Sequence, residues 1–220
     1  MKFKVYFLVS LFTITAITCN KEEEPEISNN YITDYIYEPD YLSLTFIYPG
    51  GGGIKADMSY VSIKDASLLL IVEGKKTNQN EADFNVFSEI MKDQTFNQSV
   101  EKTFPVSCLA DSISDISIFT NQNYNDTYPE GSIINDIVDI SYLLPKKVID
   151  SGYNQSISLL EEQSLYSFNQ NIRAFTSITF EFRFTSPPSR NGVYSFTLQY
   201  TSKDGTILEK TIDGVHLSNL

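Results

Sequence analysis

Tryptophan is absent from this chain of 220 residues, and it has one histidine and two cysteines. One imidazole excludes any site built on two, and two thiols exclude a four-cysteine zinc centre or a disulfide framework. Basic side chains are also scarce. Lys and Arg total 16 against 28 Asp and Glu, a formal net charge of −12. Nucleic-acid binding draws on counterion release at a basic face, so no nucleic-acid partner is expected. What is plentiful is tyrosine and phenylalanine, 14 and 15 residues. With 41% hydrophobic and 20% charged residues the composition is that of a folded chain, not a disordered one.

The N-terminus reads as a processing segment. Lys2 and Lys4 precede an uncharged stretch, 5–17, shorter than the roughly 20 residues a membrane-crossing helix needs. The stretch ends in Ala16-Ile17-Thr18-Cys19. That ending resembles a bacterial lipoprotein signal, with 1–18 removed and Cys19 as the lipid-attachment residue. The resemblance implies a diacylglycerol on the Cys19 sulfur and a free amine after cleavage, open to a fatty chain such as palmitate. The positions the family fills with Leu and with Gly, Ala or Ser hold Ala16 and Thr18 here. Ordinary secretion, with Cys19 incidental, is the alternative.

The next residues, Cys19-Asn20-Lys21-Glu22-Glu23-Glu24, resemble the surface-export signal of Bacteroidetes lipoproteins, in which Lys21 and the acids Glu22, Glu23 and Glu24 would be the signal. The resemblance implies a protein anchored by lipid to the outer membrane and facing the cell exterior. The plainer reading of such a run is a solvated tether, and 19–30 is expected to be an acidic flexible spacer on either reading.

Residues 31–220 are expected to form a single β-rich domain. The segment 178–184 alternates strictly, with Ile178, Phe180, Phe182 and Phe184 on one face, and 194–200 repeats the pattern. A breaker cluster, Pro187-Pro188-Ser189-Arg190-Asn191-Gly192, separates them, and Asp204-Gly205 turns the chain into a weaker strand near 206–212. These three are expected to form an antiparallel meander. Further strands are predicted at 42–48, 61–72 and 113–120, with 67–72 apolar on both faces and so central. Two helices are predicted: 81–91, capped by Asn80 with Phe84, Phe87, Ile90 and Met91 inward, and 133–142, capped by Ser132 with Ile133, Ile137 and Ile140 inward. The segment 157–168 fits a helix or a strand. The expected fold is mainly β, an antiparallel sandwich of the immunoglobulin-like general kind, with one to three short helices in its connections. Residues 111–118, the polar run 121–128, and Pro129-Glu130-Gly131-Ser132-Ile133-Ile134-Asn135-Asp136 resemble small Bacteroidetes lipoproteins catalogued as domains of unknown function. That resemblance supplies no activity.

Little in the sequence points to catalysis. His216, the only general-base imidazole, stands near the C-terminus, and no Gly-x-Ser-x-Gly elbow accompanies it. Cys108 lies among apolar neighbours and reads as a small core residue. The glycines 50–53 lack the Lys-Ser/Thr ending of a phosphate loop. Two carboxylates suffice for glycoside cleavage, but no Asp or Glu stands out. Asn121, Asn123, Asn125, Asp126 and Glu130 are oxygen donors close in sequence and offer calcium a place, although their order is that of a polar turn. Tyr31, Tyr35, Tyr37 and Tyr41 are candidates for a flat ligand face, or else part of a half-buried strand. Ser112, in Asp111-Ser112-Ile113, resembles the short sequence at which Bacteroidetes O-glycosylate exported proteins; as local structure it reads as a strand entry.

The expectation is therefore a non-catalytic, lipid-anchored surface protein with a binding or assembly role, needing no cofactor. Its loops at 121–130 and 187–192 would carry specificity for a protein or glycan ligand. Accessory capture of glycans or nutrients is the alternative, and a carboxylate glycosidase the remote one.

Overall fold

The computed structural model describes residues 30–48, 60–96, 106–154 and 156–220. Cys19, Lys21, Glu22, Glu23, Glu24 and the glycines 50–53 lie outside them. Strands appear in the order β1 (Asp34–Ile47), β2 (Ser67–Asn78), β3 (Ser107–Thr120), β4 (Val138–Leu143), β5 (Leu160–Ser164), β6 (Arg173–Ser177), β7 (Thr179–Phe184), β8 (Gly192–Ser202) and β9 (Ile207–Leu217). Three short helices interrupt them, α1 (Ala82–Met91), α2 (Lys146–Asp150) and α3 (Leu165–Phe168). The fold is mainly β, as the strand-forming composition requires.

The strands form one hydrogen-bonded path, β5-β4-β7-β2-β1-β3-β8-β9, with β6 branching from β3. The pairing does not define two separately bounded sheets. The path folds back on itself because β3 changes partners: its first half pairs with β1 and β6, its second with β8, across an irregularity after Leu109. As a result β1 and β9 lie against each other, and Phe184 of β7 meets Phe196 of β8 at a ring separation of 5.0 Å.

That doubling corrects the meander. β8 and β9 do pair antiparallel, but β7 pairs with β2 and β4 on the other arm. Alternation places the right side chains inward: Phe180, Phe182, Phe184, Tyr194, Phe196, Leu198 and Tyr200 are all buried, while Ile178, just before β7, is half-buried against the core. It could not say whether the two aromatic faces continue one another or oppose one another. They oppose, and the 185–191 connection crosses between the arms.

The predicted helix at 133–142 is a 3-10 turn, Asn135–Ile137, followed by β4. Val138, Ile140 and Tyr142 are two residues apart and all buried, so the strand period wins over the helical spacing of the isoleucines. Helix α1 forms, but Glu81 rather than Asn80 precedes it, with no side-chain cap bond. Its buried side is Phe84, Ser88 and Met91; Phe87 is half-buried and Ile90 faces solvent. The ambiguous 157–168 segment is both: β5 leads directly into α3, capped by the Ser164 hydroxyl. β2 begins at Ser67 and is central, paired with β1 and β7. At the β1 irregularity Gly74 is required. A β-carbon there would come within 2.7 Å of the Glu38 carbonyl oxygen.

Where β3 has lost β6 and has no named strand on that side among the described residues, two asparagines serve it. Asn169 accepts from the Ile116 amide and donates to its carbonyl, at 3.0 and 2.8 Å. Asn135 accepts from the Ile118 amide at 2.9 Å and donates to the Ile116 carbonyl at 3.0 Å. Each primary amide reproduces the donor–acceptor pair of a neighbouring strand, so these backbone groups are not left buried and unpaired.

The strand directions define two ends. β1 starts at Asp34 beside the start of β3, and β7 runs parallel to β1 because both are antiparallel to β2. The chain therefore enters at the end holding Asp34, Ser107 and α1. The connections 121–137 and 185–191 leave from the opposite end.

Candidate ligand site at the loop end

Tyr124 organises the loop end. Its ring is fully buried among Tyr194, Phe184 and Phe196, with centroids 5.6, 6.1 and 6.2 Å away. Its hydroxyl donates to the Ser186 carbonyl at 2.7 Å, and its own carbonyl accepts from the Ser189 amide at 2.9 Å. Burial pushes its phenol well above the ordinary tyrosine value. One side chain thus ties the 121–130 loop to the 185–191 loop and both to the core. Tyr194 adds a second tie, donating to the Arg190 carbonyl at 2.8 Å.

The polar residues of 121–130 fold the loop onto itself. Asn123 accepts from the Glu130 amide at 2.9 Å; Asn125 accepts from the amides of Thr127 and Tyr128 at 2.9 and 3.1 Å. Asn121 is spent on Thr197 of β8. Tyr128 donates to the Asp136 carboxylate at 2.5 Å, which holds the phenol up at about 12. Gly131 takes a positive φ of 82° and closes the loop through its amide on the Thr120 carbonyl.

Between the two loops lies an open depression of about 360 Å³, lined by Asn123, Asn125, Asp126, Pro129, Ser189 and Arg190. These residues carry two amides, a carboxylate, a hydroxyl, a guanidinium and a pyrrolidine ring. The guanidinium and carboxylate form no salt bridge among the described residues. Both loops were expected to carry specificity; what sequence could not show was that they meet, because Tyr124 reads as one more loop tyrosine.

The other sequence candidates separate. Tyr31 and Tyr35 are buried, Tyr37 is half-buried, and only Tyr41 is exposed, so the four do not share an open face. Tyr35 and Tyr37 do lie on one side of β1, but Phe87 of α1 covers it, 5.4 and 5.7 Å from their rings. The exposed Tyr41 ring carries Lys210 at 5.1 Å. The calcium set is dispersed: the Asn121, Asn123 and Asn125 oxygens are occupied by protein donors, and Asp126 alone lends a carboxylate to the depression, without Glu130. No group of three or more His, Cys, Asp or Glu among the described residues is placed to hold a metal. Ser112 is half-buried at the irregularity of β3, its carbonyl accepting from the Lys203 amide at 2.7 Å. Cys108 is fully buried near the start of β3, and burial raises its thiol far above the ordinary value. His216 lies near the far end of β9, its ring against Tyr60, so fold geometry keeps thiol and imidazole at opposite ends.

The entry end is built differently. Asp93 is fully buried, and its carboxylate accepts from the amides of Tyr31 and Ile32 at 2.7 and 2.8 Å. Its carbonyl accepts from Ser88 at 2.6 Å and from Asn30. A second apolar cluster surrounds this clamp, including Tyr31, Tyr35, Phe84, Met91, Phe96 and Cys108.

No family model, no curated protein and no solved structure matches the chain. No helix among the described residues is long and apolar enough to cross a membrane.

Proposed function

We propose that this chain is a non-catalytic binding protein, held at the outer membrane through lipid on Cys19 and facing the cell exterior, that meets its ligand with the loop end. The carrying observation is the joining of the 121–130 and 185–191 loops over one polar depression, at the end opposite the point where the chain enters. A tether at the Asp34 end leaves that depression pointing away from the membrane. The body between is long enough to matter: β3 has 14 residues, up to roughly 45 Å of extended chain. Rigid loops on a sheet scaffold suit recognition, because little entropy remains to be lost on binding. A single carboxylate lines the depression, whereas two-carboxylate glycoside cleavage needs a pair about 5–10 Å apart. That favours binding over the glycosidase alternative.

Two measurements on the native host test the reading. Cys19→Ala should move the protein from the membrane to the soluble fraction; retention on the membrane contradicts the anchor. A photoreactive residue at Asn125 should form adducts on intact cells, while one at Glu81, beside the entry end, should not. Equal adducts at both positions, or none at Asn125, would falsify recognition by the loop end.

A further inference from the structure

We infer that the ligand of this depression is a neutral saccharide, gripped through adjacent hydroxyls by Asp126 and Arg190. This rests on the binding role proposed above and deepens it. The polar set is mixed in a specific way. The oxygens of Asn123 and Asn125 already accept backbone amides, so their NH₂ groups are what they can offer. Arg190 offers further donors in a fixed fork. Asp126 is an acceptor with two oxygens, and Ser189 can do either. A simple anion such as phosphate would meet the Asp126 carboxylate, and a simple cation would meet Arg190. A sugar hydroxyl donates and accepts at once, and a pair of neighbouring hydroxyls matches the two parallel sites of a carboxylate or a guanidinium. The Pro129 ring supplies an apolar patch of the kind a sugar C–H face needs. The net charge of −12 further disfavours a polyanionic glycan.

Size and rigidity fit the same class. About 360 Å³ is at the small end of ligand sites, enough for the end of a glycan chain and not for a long stretch of it. The Ser189 amide and the Arg190 carbonyl are bonded to Tyr124 and Tyr194, so the backbone that carries both side chains is set before the ligand arrives. The tyrosine platform considered from sequence has no part in this: Tyr31 and Tyr35 are core residues.

The test is a printed array of neutral and of uronate- or sulfate-bearing glycans, probed with the purified full chain and with Asp126→Asn and Arg190→Gln. Both positions are exposed, so matched thermal melts are expected for all three proteins. Neutral glycans should bind, and each variant should weaken that binding about tenfold or more, as loss of a charge-assisted hydrogen bond does. Binding of neutral glycans that both variants leave unchanged overturns the inference, as does binding confined to anionic glycans. An array without neutral-glycan binding overturns the saccharide alone if a photoreactive residue at Asn125 still forms adducts on cells, and the binding role with it if that residue forms none.

Discussion

The two ends of this molecule each bury a tyrosine, and they use it in opposite ways. At the entry end Tyr35 is fully buried, close to Phe84 and Phe87, and its hydroxyl has no hydrogen-bond partner among the described residues. At the loop end Tyr124 is as deeply buried, yet its hydroxyl reaches the Ser186 carbonyl and joins two loops. The entry end is held by apolar contact and by one carboxylate turned inward onto backbone amides. The loop end is held by tyrosine hydroxyls that pin backbone while loop side chains stay in water. An end that closes a fold needs no geometry beyond packing; an end that recognises something needs its polar groups fixed in place.

The contrast breaks most sharply at Asp93. Asp93→Ala leaves the Tyr31 and Ile32 amides buried without their acceptor, and should cost about 3 kcal/mol or more of unfolding free energy. Urea denaturation measures it, and a loss below about 1 kcal/mol would show that the clamp is incidental. The same substitution at the two tyrosines should then act with opposite sign. Tyr124→Phe removes a satisfied bond and should destabilise by about 1 kcal/mol, whereas Tyr35→Phe removes an orphaned hydroxyl and should be neutral or stabilising. Paired melting curves decide it; equal losses would mean that the two hydroxyls are not differently placed.

A smaller effect lies between the ends. Burial raises the Asp111 carboxyl above the ordinary carboxylate range, although the Ser112 amide and the Tyr200 hydroxyl, 3.2 Å away, work against the rise. The native state therefore holds this proton more tightly than the unfolded chain. Stability from Asp111 is present below the ordinary Asp value and falls as pH climbs through the raised one. Asp111→Asn should gain on the parent between pH 3.5 and pH 7. A pH-independent difference would remove burial as the cause.

What was legible in the sequence follows from how local each signal is. Alternation along 178–184 and 194–200 identified buried faces, since period two is a property of the strand itself. The partner of each strand was not legible: the Pro187-Pro188 segment permits a hairpin or a crossing, and only the packing of Phe184 on Phe196 selects the crossing. The stretch at 133–142 carries both periods, with Ile133, Ile137 and Ile140 at helical spacing and Val138, Ile140 and Tyr142 at strand spacing, and pairing with β5 and β7 decides it. Asn135 and Asn169 gave no signal at all. An asparagine that completes a strand edge is recognisable only once that edge exists. The loop site shows the same division: its polar residues were readable as two separate loops, and the tie through Tyr124 was not.

Amide hydrogen exchange at Ser189 tests the preformed loop end most directly. This amide sits in an exposed loop residue but donates to the Tyr124 carbonyl, inside a tie that ends on buried aromatic rings. Exchange slowed by orders of magnitude relative to an unstructured peptide, and accelerated in Tyr124→Phe, is the expected result. Exchange at the unprotected rate in the parent protein would mean that the two loops move independently and that no fixed depression exists to bind anything.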